Sequence, residues 1–125
     1  MRLIALLLLS VVLIGCEKEL SVYSGKPLDR GGILYKPNSN TPLTAKVERY
    51  HENGQLKDLF TVIDGKLEGL HQVWLENVQL KVEVTYVNGK RDGIQQEWDE
   101  GGEPDGRSCY KADEKTDMSY CQNGK

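Results

Sequence analysis

Three cysteines carry the most explicit chemistry in this chain. Cys16 closes the run Leu13-Ile14-Gly15-Cys16, at the end of an apolar stretch from Leu3 to Ile14 that only Ser10 interrupts and Met1-Arg2 precedes. A stretch of that length is too short and wrongly flanked for a membrane-spanning helix, but it suits a signal peptide. Small Gly15 before Cys16 fits a lipoprotein signal peptidase, so the Cys16 thiol is the expected attachment point of a diacylglycerol. An ordinary secretory signal with an incidental cysteine is the alternative. Export leaves Cys109 and Cys121 in an oxidising compartment, where disulfides persist, and the two are expected to bond to each other. Zinc is the rival chemistry, but it needs close Cys or His spacing and further ligands, which this pair lacks.

The remaining reactive side chains form no recognisable catalytic set. His51 and His71 stand at unrelated positions, and each reads as a solvent-facing strand residue. Ser21, Ser24, Ser39, Ser108 and Ser119 have no nucleophile-elbow context. Asp99, Glu100, Glu103 and Asp105 gather around Gly101-Gly102 and hint at calcium, but their spacing is not that of a cation-binding helix-loop-helix, and a solvated turn accounts for them. No glycine motif for phosphate is present. No cofactor and no metal are expected. Removing residues 1–15 takes away Arg2, one of 16 basic residues, and leaves all 19 acids, so the mature chain is more negative than the −3 of the whole. A chain of that balance offers no basic footprint for nucleic acid. Its length allows one domain.

What must position these groups is a repeat. Tyr50, Trp74 and Trp98 are 24 residues apart, as are Glu52, Glu76 and Glu100, and the register holds at Gln55 and Gln79, Gly65 and Gly89, and Lys66 and Lys90. A fixed period of this size means one supersecondary unit stacked on the next. The unit is a β-hairpin, because Asn53-Gly54, Asp64-Gly65 and Asn88-Gly89 supply the positive φ that tight hairpin turns need. The fold predicted is all-β, an antiparallel hairpin meander.

An even period keeps equivalent residues on one face. Leu80, Val82, Val84 and Tyr86 alternate with Lys81, Glu83 and Thr85, so the first set faces a core, joined by Leu56, Phe60 and Val62, with Asp58 an exception at a rim. On the leading strands Tyr50, Leu70, Trp74, Ile94 and Trp98 alternate with Arg49, His71, Gln95 and Glu97. An aromatic ladder along one buried face follows, with an open glycan or peptide groove as its rival. Arg49, Lys57, Lys81, Glu83, Gln95 and Glu97 are then the opposite face, the candidate surface for a partner.

At Tyr50-His51-Glu52-Asn53-Gly54-Gln55-Leu56-Lys57, and at Asp64-Gly65-Lys66-Leu67-Glu68-Gly69 with its second copy through Asn88-Gly89-Lys90-Arg91-Asp92-Gly93, the chain resembles the MORN repeat variant of bacterial proteins. Thr44-Ala45-Lys46-Val47 resembles the usual entry to such arrays, with Ala45 in place of glycine. The resemblance covers roughly half the chain and implies a fold more than a function. Val78 stands where Gly54 stands, and Glu100-Gly101-Gly102-Glu103-Pro104 lacks Asn-Gly. A looser second turn and an array ending in the third copy are therefore expected.

The third copy places Cys109–Lys111 on a second strand, with Ala112–Asp117 turning the chain and Met118–Cys121 returning antiparallel, so that the disulfide closes a carboxy-terminal hairpin. At the other end, residues 1–15 are the signal, 16–32 the lipidated cysteine and a tether rich in Ser, Gly, Pro and charge, and 33–125 the repeat domain. Ile33-Leu34-Tyr35 is a strand that could pair with Val47–Tyr50. Glu17, where Asp signals inner-membrane retention in lipoproteins of double-membraned bacteria, implies by that resemblance the outer membrane. The functional expectation is a non-catalytic lipoprotein, held to the membrane through Cys16, whose sheet serves as a structural or protein-interaction module. An antitoxin or immunity-type protein that neutralises one partner is the runner-up, and an adjacent co-transcribed toxin-like gene would favour it. An enzyme with an unrecognised site would need polar groups converging in a pocket.

Overall fold

The computed structural model describes residues 19–123. The signal segment 1–15 and Cys16 lie outside the described residues. Eleven strands and one short helix follow in order: β1 (Val22–Ser24), β2 (Leu28–Arg30), β3 (Ile33–Tyr35), β4 (Ala45–Tyr50), β5 (Leu56–Ile63), β6 (Lys66–Leu67), β7 (Gly69–Trp74), β8 (Leu80–Val87), β9 (Lys90–Trp98), β10 (Pro104–Lys111), β11 (Glu114–Thr116) and α1 (Met118–Gln122). The main sheet runs β1-β4-β5-β7-β8-β9-β10-β11, with β6 also paired to β5, and β2-β3 is a separate hairpin. All its pairings are antiparallel except β1 with β4, which is parallel. The meander expected from the 24-residue period is present.

Two sets of turns repeat in conformation even where the sequence does not. Asp64-Gly65 (φ 48° and 82°), Asn88-Gly89 (50° and 83°) and Ala112-Asp113 (47° and 70°) all take positive φ at both positions. This is the double-positive turn whose twist matches flanking strands. At the opposite edge Gly54 (84°), Val78 (65°) and Gly102 (85°) share the left-handed position. The Val78 turn is no looser than the others: Leu75 N donates to Gln79 O at 2.8 Å, as His51 N does to Gln55 O, and Asn77 Oδ1 accepts from Gln79 N at 3.1 Å. The array does end in the third copy: Asp99 N donates to Glu103 O at 2.9 Å and keeps that copy's turn closed, and β11, which matches β6 two periods on, is followed by the helix.

A β-branched residue in that conformation is strained. Val78→Gly is therefore expected to stabilise the full chain by about 1 kcal/mol, the released strain exceeding the extra backbone entropy glycine gains on unfolding. A rise in the urea midpoint at unchanged slope checks it, and an unchanged or lower midpoint would show the strain to be absent.

Each double-positive turn docks on the unit before it through the same backbone bond. Gly65 N donates to Leu43 O (2.7 Å), Gly89 N to Leu67 O (2.8 Å) and Asp113 N to Arg91 O (2.9 Å). A side chain one residue further on repeats the pattern: Thr44 Oγ1 accepts from Asp64 N (2.8 Å), Glu68 Oε2 from Asn88 N (2.7 Å) and Asp92 Oδ2 from Ala112 N (3.4 Å). These bonds satisfy turn amides that would otherwise face water or go unpaired.

The core gathers at the first unit. Register pairs Ala45 with Val62 and Val47 with Phe60, and these with Leu43 form the buried cluster against which Tyr23, Leu34 and Leu67 pack. Leu34 brings the β2-β3 hairpin onto that face. Down the array the equivalent cross-strand pair changes from Val47–Phe60 to His71–Val84 to Gln95–Ser108, so the same face becomes steadily more polar.

Several expectations are corrected here. The aromatic ladder is not the core: Trp74 and Trp98 are half-buried, and Tyr50 and Leu70 are about half exposed, at 50% and 49%. Opposite Arg49/Tyr50 and Val73/Trp74 the partner strands carry an extra residue, Lys57 and Lys81, so Leu56 and Leu80 pair with Tyr50 and Trp74 on the outer side, while His71 and Val73, alternating with Trp74, face inward. Ile33–Tyr35 is a strand, but it pairs with Leu28–Arg30, and β1 takes the edge beside β4. Two strands therefore fall inside the stretch 16–32 expected to be a tether. Met118–Cys121 is helical, because Asp117 Oδ1 accepts from Ser119 N at 2.8 Å and caps the turn. The Cys109–Cys121 disulfide is present, with Cα atoms 6.0 Å apart, and it ties the helix to β10 rather than closing two strands.

Candidate functional site

The expected solvent-facing set does not form one surface. Arg49 pairs across the sheet with Asp58, Gln95 with Val84 and Glu97 with Val82, which puts all three on the face of the core cluster. Lys57, Lys81 and Glu83 alternate with those inward residues and lie on the other face. Arg49 alternates without interruption with buried Ala45 and Val47, and the even period carries that parity on to Gln95 and Glu97. Glu83 Oε1 accepts from Gln72 Nε2 at 2.8 Å, and Glu97 Oε1 from Gln95 Nε2 at 2.7 Å, while Lys57 and Lys81 are exposed.

Chemistry converges instead around Asp58. This carboxylate is 3% exposed, not at a rim, and stands at the inward position of β5 next along from Phe60. A buried charge must be paired or it is strongly unfavourable. Arg49 Nε donates to its Oδ2 at 2.9 Å, and Arg49 Nη2 donates to the same oxygen. His71 Nε2 lies 3.1 Å from Oδ1. Burial pushes the Asp58 carboxyl up, but the hydrogen bonds and charges of His71 and Arg49 outweigh that, and it sits below the ordinary carboxylate value. The His71 ring is tilted against Phe60 at 5.0 Å and Tyr86 at 6.2 Å, which fixes its orientation. His71 is therefore an inward residue on the core face and not the outward one expected. His51 is also engaged, its Nε2 lying 2.8 Å from Trp74 O across to the next unit.

Two adjoining clefts share Lys26 and Arg49 as walls. The larger, about 380 Å3, lies where β1, β4 and β5 come together and is lined by Ser24, Gly25, Lys26, Glu48, Arg49, Tyr50 and Lys57. The smaller, about 220 Å3, is bounded by Lys26, Pro27, Leu34, Arg49, Asp58, Phe60, Leu67 and His71 and is mostly apolar. Among the described residues neither Lys26 nor Lys57 is in a salt bridge. Also among them, no cluster of three His, Cys, Asp or Glu side chains could hold a metal ion, and no helix is long and apolar enough to cross a membrane. The arrangement can hold charge and shape a ligand.

Sequence reasoning missed Lys26, because it assigned that stretch to a tether, and it missed the Asp58–His71 pair. The signal for Asp58 was present: a charged residue at an inward position of an otherwise apolar alternation.

Comparison with known proteins adds one likeness. The MORN repeat variant family matches residues 43–62, which span β4, its turn and most of β5, and this supports the resemblance drawn from the repeat. No curated protein and no solved structure matches the chain.

Proposed function

We propose that this chain is a non-catalytic, lipid-anchored protein of the bacterial cell envelope whose repeat sheet serves as a protein-interaction or structural module. The distribution of the three cysteines carries the reading. Cys16 ends the apolar leader and is the single cysteine without a partner in the pattern, while Cys109 and Cys121 are joined in a disulfide, a bond that persists outside a reducing cytosol. Glu17 after Cys16 directs the protein to the outer membrane. Only a few residues separate Cys16 from β1 at Val22, so the sheet is held close to the bilayer by the lipids on Cys16. The match to a repeat found in interaction modules supports the second half of the reading.

Cys16→Ser is expected to abolish acylation and move the protein from the membrane fraction to the soluble fraction. Metabolic labelling with a fatty acid, fractionation and mass spectrometry of the mature amino terminus check this. A mature terminus elsewhere, unmodified, would end the lipid-anchor reading.

A further inference from the structure

We infer that the outer side of the sheet binds an extended β-linked glycan of the cellulose or chitin type that carries one carboxylate on each disaccharide. Three observations point there. The first is a row of apolar side chains that crosses the strands on that side. Tyr50 pairs with Leu56 and Trp74 with Leu80, and Trp98 repeats the position one period on. Tyr50 is half exposed, and Leu56 and Trp74 with Gln55 and Val78 wall an open cleft of about 270 Å3. The two covers of the sheet lie elsewhere: the β2-β3 hairpin is on the core face, and α1 sits on β10 and β9 near Asp92, at the end of β9 away from Trp98. An exposed apolar strip with a polar rim marks a ligand groove.

The second observation is the period. Tyr50, Trp74 and Trp98 stand on β4, β7 and β9, with β5 and β8 between them, so neighbouring aromatics are two strand spacings apart, roughly 10 Å. An extended β-linked glycan turns the same sugar face to one side once per disaccharide, over that same length. Each aromatic therefore meets the apolar face of every second sugar. The third observation is charge. Lys57 and Lys81 follow Leu56 and Leu80, one per unit, both exposed, and among the described residues neither is in a salt bridge. Two acids on the same side are engaged, Glu48 by the Tyr50 hydroxyl at 2.5 Å and Glu83 by Gln72 at 2.8 Å. A cation repeated with the aromatic suits a carboxylate repeated with the disaccharide, since charge-assisted hydrogen bonds are the strong ones. Glu52, Glu76 and Glu100 recur at the turns beside the row, where a carboxylate accepts from sugar hydroxyls. The third copy has Asp105 in place of the lysine, so the cationic contacts belong to the first two units.

Such a ligand deepens the reading of the repeat sheet as a structural module of the cell envelope and rests on it. Soluble probes need no membrane, so failure here is separate from failure of the lipid anchor. Both tryptophans of the chain lie in the row, and occupancy is read in their emission as well as by calorimetry. The full chain is titrated with a hexasaccharide of alternating N-acetylglucosamine and N-acetylmuramic acid, with the hexamer of N-acetylglucosamine, which lacks the carboxylates, and with maltohexaose, whose α linkages coil the chain. The expected result is binding of the acidic hexasaccharide with a blue shift of tryptophan emission, binding of the neutral hexamer weaker by about tenfold or more, and no binding of maltohexaose. Lys57→Gln with Lys81→Gln is expected to bring the acidic probe down to the affinity of the neutral one at an unchanged thermal melt, since both side chains lie outside the core. Trp74→Ala is expected to abolish binding of both hexamers, and the lysine pair carries the test should that variant melt too low. Equal binding of the acidic and neutral hexamers, wild-type affinity in the double lysine variant, equal binding of maltohexaose, or no binding of any probe overturns the inference. A chain that sediments as a dimer with its tryptophans already shielded overturns the glycan in favour of a second copy.

Discussion

Phe60→Ala is expected to cost about 3–5 kcal/mol and to leave the domain marginal or unfolded at room temperature. Phe60 is 8% exposed and packs in the cluster with Leu43, Ala45, Val47 and Val62, on a face where the equivalent pairs of the later units are His71 with the smaller Val84 and then Gln95 with Ser108. No second apolar centre further down the array compensates. Trp74→Ala, though it removes a larger side chain, is expected to cost less, about 1–2 kcal/mol, because the indole is only half-buried and a side chain's full burial is worth about 1.5–3 kcal/mol. Urea titration of the full chain carrying each change decides the matter. If Trp74→Ala costs as much as Phe60→Ala, the aromatics and not the first-unit cluster hold the sheet.

The second large effect is at Asp58. Asp58→Asn keeps the shape but removes the charge that binds Arg49 and His71, and it is expected to cost about 3 kcal/mol, the low end for a broken buried pair because Arg49 keeps a third of its side chain in water. The pH dependence has a defined sign. The folded carboxyl value lies below the unfolded one, so the stability it contributes is fully present above the unfolded value of about 3.9 and is lost as pH falls through the folded value. The urea midpoint of the unaltered chain should therefore drop on acidification below about pH 4. Asp58→Asn should start lower and fall less over that interval. A variant with the same acid slope as the parent would show that other carboxylates govern the decline.

The architecture was legible because turn chemistry and period are local properties. Asp64-Gly65 and Asn88-Gly89 announce their backbone, and the spacing carries the pattern on to Ala112-Asp113, where the residue types do not. Which way each strand faces was less legible, since it depends on bulges such as those at Arg49/Tyr50 and Val73/Trp74. The inserted residues, Lys57 and Lys81, turn Leu56 and Leu80 away from Phe60 and Val84 and onto the side of Tyr50 and Trp74, so following the apolar residues put the aromatics inside and Arg49, Gln95 and Glu97 outside. The Asp58 site was hidden for a different reason. Its partners come from β4 and β7, and only the assembled sheet brings Arg49 and His71 to one carboxylate. Lys26 and β1 were missed because short edge strands have little periodicity to read, and parallel pairing of β1 with β4 has no turn to signal it.

The recurring bond from each double-positive turn to the preceding unit has an evolutionary consequence. Leu43–Gly65, Leu67–Gly89 and Arg91–Asp113 are the same joint made three times, each joining one unit only to its neighbour. A gene duplication that inserts one whole unit between β8 and β9 reproduces that joint and leaves both ends as they are. An insertion one residue shorter or longer breaks the joint and turns the following strand over. Whole units are thus the step of length this sheet accepts, while the parallel β1 edge and the disulfide-tied helix, made once each, are the parts that cannot be copied along.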